Sequence, residues 1–161
     1  MRALRVALFA CAYNEVDGVA NTMRQFEAFA QRQKLPLLSV HGGFANYRRQ
    51  DGSVTRLEFR RRWPKFRLDA KHDYDLNFWR YLGEIERVVR EFRADLLHIT
   101  GPSDVGQMGA LIAHRLRTPL VASWHTNVHQ YAEQRLMALV HLFRLKPRRC
   151  WARMCASFAF V

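Results

Sequence analysis

What the chain lacks narrows it first. No apolar run approaches the roughly 20 residues that a bilayer-spanning helix needs. The first residues also lack the charged lead, apolar segment and small-residue cleavage site of a secretory leader. A soluble cytoplasmic protein is expected, with the inner membrane surface as the place of any peripheral contact. Cysteine is scarce: Cys11, Cys150 and Cys155 are too few and too scattered for a disulfide framework and fit a reducing compartment. No Gly-x-x-x-x-Gly-Lys-Ser/Thr string occurs, which excludes a P-loop, and Gly101, Gly106 and Gly109 have the wrong spacing for a dinucleotide fingerprint. Acidic residues are short as well, 14 against 26 Lys and Arg, leaving a net charge of +12.

That excess is local. Residues 48–67 and 135–161 each contribute six positive charges, so the rest of the chain is neutral. With 161 residues, 49% of them hydrophobic and 25% charged, the composition is that of an ordinary folding domain and excludes disorder and low-complexity sequence.

Residues 3–12 form a nearly unbroken apolar run interrupted only by Arg5, the pattern of a strand buried on both faces of a parallel sheet. Val19, Met23, Phe26 and Phe29 then recur at helical spacing, with Asp17 as the expected N-cap. Residues 36–41 and 53–59 read as strands and 42–52 between them as a loop. A helical stripe crosses residues 76–93, a short apolar strand follows at 95–99, and Val105, Met108, Ile112 and Leu116 mark another helix. Pro119 stops that pattern before a strand at 120–124, and residues 131–145 look helical. Strands alternating with helices predict an α/β fold with a doubly wound, mostly parallel sheet, because parallel strands need crossover helices to cover both faces.

Such a sheet gathers its ligands beyond the carboxyl ends of its strands. Three polar loops belong there: Asn14, Glu15, Asp17 and Gly18; Thr100, Gly101, Ser103 and Asp104; His125, Thr126 and Asn127. Gly18 at a helix start either eases the turn or lets a diphosphate approach free N–H groups at the positive end of the helix dipole. His125 either contacts a sugar hydroxyl or ties down a neighbouring loop. His125 and His129 lack the intervening Glu and third ligand of a zinc site, so no metal is expected. Asp73 and Asp75 precede a helix, where carboxylates favour the N-terminus, a reading preferred to a metal-binding Asp-x-Asp. Arg60, Arg61, Arg62, Lys65 and Arg67, interleaved with Trp63 and Phe66, suit an anionic membrane surface or phosphates, or simply a solvated loop. No nucleic-acid module accompanies them, and nucleic acid ranks last as a partner.

Taken in order, Asp17-Gly18-Val19-Ala20-Asn21-Thr22, Asp95-Leu96-Leu97-His98-Ile99-Thr100-Gly101-Pro102 and Pro119 through Asn127 with Tyr131 resemble the N-terminal domain of family 4 retaining glycosyltransferases. That group has the GT-B fold and includes phosphatidylinositol mannosyltransferases and glycolipid-forming sugar transferases. The resemblance implies a Rossmann-like acceptor-side half over residues 1–145, followed by a basic tail at 146–161, with a separate donor-binding C-terminal half. It implies that the backbone around Gly18 and Val19 approaches the donor diphosphate and that His125 contacts the donor sugar. Asn14, Asp17, Thr100, Ser103, Thr126, Asn127 and Tyr131 would shape the site or meet the acceptor. A nucleotide-sugar would be the substrate, a lipid or glycolipid a candidate acceptor, and no cofactor is expected. Because the Glu-x7-Glu donor motif of that second half is missing here, a chain inactive alone is expected. The competing class is a noncatalytic α/β module that binds an anionic partner through its arginines.

Overall fold

The computed structural model describes residues 2–11, 13, 18–67 and 73–123, all within one compact unit, Met1–His125. The expected boundary near residue 145, the basic tail and the helix at 131–145 lie outside the described residues.

The first strand, β1, spans Val6–Ala10, and helix α1 spans Gly18–Arg32. Then come β2 (Leu37–Gly43), β3 (Tyr47–Asp51) and β4 (Val54–Arg60). A two-stranded ribbon of β5 (Lys65–Arg67) and β6 (Asp73–Asp75) precedes a 3-10 turn at Phe78–Tyr81 and α2 at Leu82–Phe92. The described chain closes with β7 (Leu96–Ile99), α3 (Asp104–Leu116) and β8 (Leu120–Ala122).

The main sheet has the order β3-β4-β2-β1-β7-β8, with every pair parallel except β3 against β4. The chain therefore builds outward from β1 through β2 to β4, then returns to the other side of β1 for β7 and β8. This is the doubly wound, Rossmann-like arrangement, and its strand order reverses between β1 and β7.

Alternation along the strands divides the core in two. Ala7, Phe9, Leu38, Val40, Leu57 and Phe59 point to one face, where Ile85, Val88 and Val89 of α2 and Val105, Met108 and Ile112 of α3 cover them. Leu8, Ala10, Leu37 and Val54 point to the other, beneath Met23 and Ala30 of α1. Fully burying one such side chain contributes about 1.5–3 kcal/mol, so the α2/α3 face is the larger source of stability.

Some elements differ from the sequence reading. Residues expected as loop contain β3, an edge strand whose five residues are all exposed. With no buried face it has no alternating apolar signal, and Arg48, Arg49 and Asp51 put charge along an edge that would otherwise invite pairing with another chain. The β5–β6 ribbon is too short to show a period. The strand expected at 120–124 is present as β8, whose Leu120, Val121 and Ala122 are exposed at the other edge of the sheet.

Candidate functional site

At the reversal point, the carboxyl ends of β1 and β7 are laced together by one threonine. Thr100 Oγ1 accepts from the Cys11 amide at 3.0 Å and donates to the Phe9 carbonyl at 3.3 Å, while Cys11 Sγ donates to the Thr100 carbonyl at 3.3 Å. Thr100 is buried, and so is Ser103, which caps α3 by accepting from the Gly106 amide at 3.1 Å. Both side chains are engaged by hydrogen bonds within the fold.

The glycines with the wrong spacing for a dinucleotide loop have a packing explanation. A Cβ on Gly106 would stand 1.9 Å from the Gly101 carbonyl oxygen, and one on Gly109 would stand 2.7 Å from Phe9 Cγ. Gly101 itself has φ +156°, with Cys11 Sγ 3.3 Å from where its Cβ would lie. Glycine at these positions lets α3 settle on β1 and β7 and its first turn approach the preceding loop.

Arg61 reaches across this end of the sheet. Its Nε and Nη2 each bond Asp104 at 3.0 Å at the start of α3, and Nη2 also donates to the Cys11 carbonyl at 3.3 Å. The guanidinium lies over Gly42, where an added Cβ would come within 2.8 Å of it. Arg61 was grouped by sequence with an exposed cationic patch. The structure corrects that placement: its side chain is 12% exposed, because in an extended segment successive residues alternate in direction. Arg60, Arg62 and Lys65 are exposed, and Arg67 lies in β5.

A second polar cluster gathers around Tyr13, just past the end of β1. The Tyr13 ring stacks on the buried His41 at 4.0 Å between centroids, its hydroxyl donates to Glu27 at 2.7 Å, and its carbonyl accepts from Arg24 at 3.3 Å. Burial, reinforced by the neighbouring Glu27 carboxylate, pushes the Tyr13 hydroxyl up to about 12. Arg56 closes on Glu27 at 2.6 Å. Burial pulls His41 down to about 4, against the opposing pull of Glu58 and Glu27, so it is neutral at ordinary pH. Glu58 meanwhile holds the turn after β2, accepting from the Phe44 and Ala45 amides at 2.7 and 2.9 Å. Tyr13 thus ties the chain just past β1 to α1 and β2. No local sequence signal marks its partners, which come from α1, β2 and β4.

Gly18 opens α1, and a Cβ there would meet nothing within 4 Å, so the space beside the first turn is open among the described residues. Val19 packs partly against the core beneath α1. Asn14, Asp17, His125, Thr126, Asn127 and Tyr131 lie outside the described residues, as do His129, Cys150 and Cys155.

Asp75 of the acidic triplet is structural. It pairs with Arg80 and accepts from the amides of Arg62 at 2.8 Å and Asn77 at 2.9 Å. Burial pushes its carboxyl up, but those donors outweigh burial and hold it below the usual range. Among the described residues no cluster of three His, Cys, Asp or Glu could hold a metal ion, and no helix is long and apolar enough to cross a membrane.

A cleft of about 360 Å³ lies at the opposite, amino end of the strands, bordered by Arg5, Pro36, Arg48, Ser53, Glu91 and Phe92. It falls on the wrong end of a doubly wound sheet for a ligand site.

The family model for the glycosyl transferase 4-like domain matches residues 5–161. The chain belongs to that family. The match runs through the whole described sheet, so the reversal point between β1 and β7 lies within a glycosyl transferase 4-like domain. Comparison with curated proteins gave no match.

Proposed function

We propose that this glycosyl transferase 4-like domain serves sugar transfer from a nucleotide-sugar to an acceptor with retention of anomeric configuration. The family match over residues 5–161 carries the reading. The open first turn of α1 at Gly18 supports it. As the bond between sugar and diphosphate breaks, negative charge grows on the leaving group, and free N–H groups with the positive end of a helix dipole stabilise that charge. Gly18 and Val19 would present this turn, and Tyr13 would hold its lead-in. His125, at the carboxyl end of β8 in sequence, would donate a hydrogen bond to the donor sugar. Asn14, Asp17, Thr126, Asn127 and Tyr131 would line the acceptor side, with Thr100 and Ser103 bracing the floor. The acceptor class is a lipid or glycolipid, as for phosphatidylinositol mannosyltransferases, with the reaction at the inner membrane surface. The chemistry asks for no cofactor.

The test combines the chain with a donor-binding Rossmann-like domain in trans, a panel of nucleotide-sugars and a lipid extract. Released nucleoside diphosphate and product anomeric configuration are followed by NMR. Retained configuration and loss of turnover in His125→Ala are expected. Inverted product, or an unchanged rate in His125→Ala, overturns the assignment.

A further inference from the structure

Three loops at the carboxyl end of the sheet carry large apolar side chains outward. Phe44 in the turn after β2 is 81% exposed, Trp63 after β4 is 87% exposed, and Leu76 after β6 is 61% exposed. Hydrogen bonds hold the loops together: Arg61 N donates to the Gly43 carbonyl at 3.0 Å, Arg60 N to the side-chain Oδ1 of Asn46 at 2.6 Å, and Leu76 N to the Pro64 carbonyl at 3.0 Å. Trp79, also exposed, follows Leu76 by three residues. Between Phe44 and Trp63 stand the exposed Arg60 and Arg62, and no carboxylate among the described residues pairs with either. Glu58 is engaged by the Phe44 and Ala45 amides, and Asp75 by Arg80 and two backbone amides.

We propose that the Phe44, Trp63 and Leu76 tips, with Arg60 and Arg62 between them, dock on the surface of an anionic phospholipid bilayer. Soluble proteins expose single apolar side chains routinely, but several large ones on adjoining loop tips mark an interaction surface. An indole at such a tip suits the boundary between headgroups and acyl chains, and the Phe44 and Leu76 side chains have only apolar atoms to bury. The unpaired guanidinium groups supply attraction to anionic headgroups. Nucleic acid would also attract arginines, but Leu76 offers it no stacking face, whereas a bilayer accepts aliphatic and aromatic tips alike. Because the tips leave the carboxyl ends of β2 and β4, docking turns the crevice end of the sheet toward the membrane. The inference stands independently of sugar transfer, since vesicle binding requires no nucleotide-sugar.

The experiment measures co-sedimentation of the full chain with vesicles of phosphatidylcholine alone and of equimolar phosphatidylcholine and phosphatidylglycerol. Binding to the anionic vesicles alone is expected, falling as salt rises. Arg60→Gln with Arg62→Gln should weaken it on the order of tenfold. Quenching by brominated lipid should be strong in the native chain and reduced in Trp63→Phe, which keeps an apolar tip and the affinity. All three positions are exposed, and circular dichroism confirms the fold of each variant. Equal binding to both vesicles, unchanged affinity in the arginine variant, or quenching indifferent to Trp63→Phe overturns the proposal. Displacement from vesicles by a short oligonucleotide that binds more tightly assigns the surface to nucleic acid and overturns it too.

Discussion

Arg61 and Asp104, 43 positions apart, form a two-bond ion pair that joins the end of β4 to the first residue of α3. Only 12% and 5% of the two side chains are exposed. Asp104 also accepts from the Asp75 and Val105 amides at 3.1 and 2.9 Å, and Arg61 also donates to the Cys11 carbonyl. Asp104→Ala, which breaks the buried pair and removes the acceptor of both amides, should cost about 3–5 kcal/mol, and Arg61→Met, which leaves those amide bonds in place, less. Urea denaturation of the two variants gives the comparison.

The α3 glycines yield a graded prediction. Gly109→Ala must displace the flexible side chains of Phe9 and Ile99, whereas Gly106→Ala meets the Gly101 backbone carbonyl. Overpacking costs typically about 1–3 kcal/mol. Gly109→Ala should fall within that range and Gly106→Ala at or above its top, as read from thermal midpoints.

Helices α2 and α3 both end on arginines in the left-handed region, Arg93 at φ 53° and Arg117 at φ 51°. A side chain there costs roughly 1–2 kcal/mol relative to glycine. Arg117→Gly should raise the stability by about 1 kcal/mol. A denaturant midpoint that falls in this variant contradicts the assignment.

His41 sets a pH dependence. Its folded pKa of about 4 lies below the ordinary imidazole value of 6.5, so between those values the unfolded chain binds more protons than the folded one. Its contribution is fully present above about pH 6.5 and is lost as pH falls through 4. The whole span corresponds to about 3 kcal/mol. Among the described residues its Nδ1 has no hydrogen-bond partner. Stability measured at pH 7 and pH 5 should fall more steeply in the native chain than in His41→Gln; equal slopes contradict it.

The α/β sheet was legible because strands buried on both faces leave apolar runs and crossover helices leave periodic stripes. Alternation does not set the strand order, so the reversal between β1 and β7 is visible only in the structure. Strand β3 was hidden because all its residues face solvent, and Arg61 because a run of arginines reads as uniform surface while an extended backbone turns every second one inward. The Tyr13 and His41 stack joins the chain just past β1 to β2 across 28 positions, a long-range contact that no local pattern encodes. Glycine spacing around α3 was visible, but only the contacts of Phe9 and the Gly101 carbonyl show that it serves packing.

The most direct test of the central claim is amide chemical-shift mapping of the chain titrated with UDP-glucose and with GDP-mannose. The account predicts shifts at Cys11, Tyr13, Gly18, Val19 and Gly101, at the crevice between β1 and β7. Shifts confined to Arg5, Arg48, Gly52 and Glu91 at the amino-end cleft, or no shifts with either compound, would contradict it.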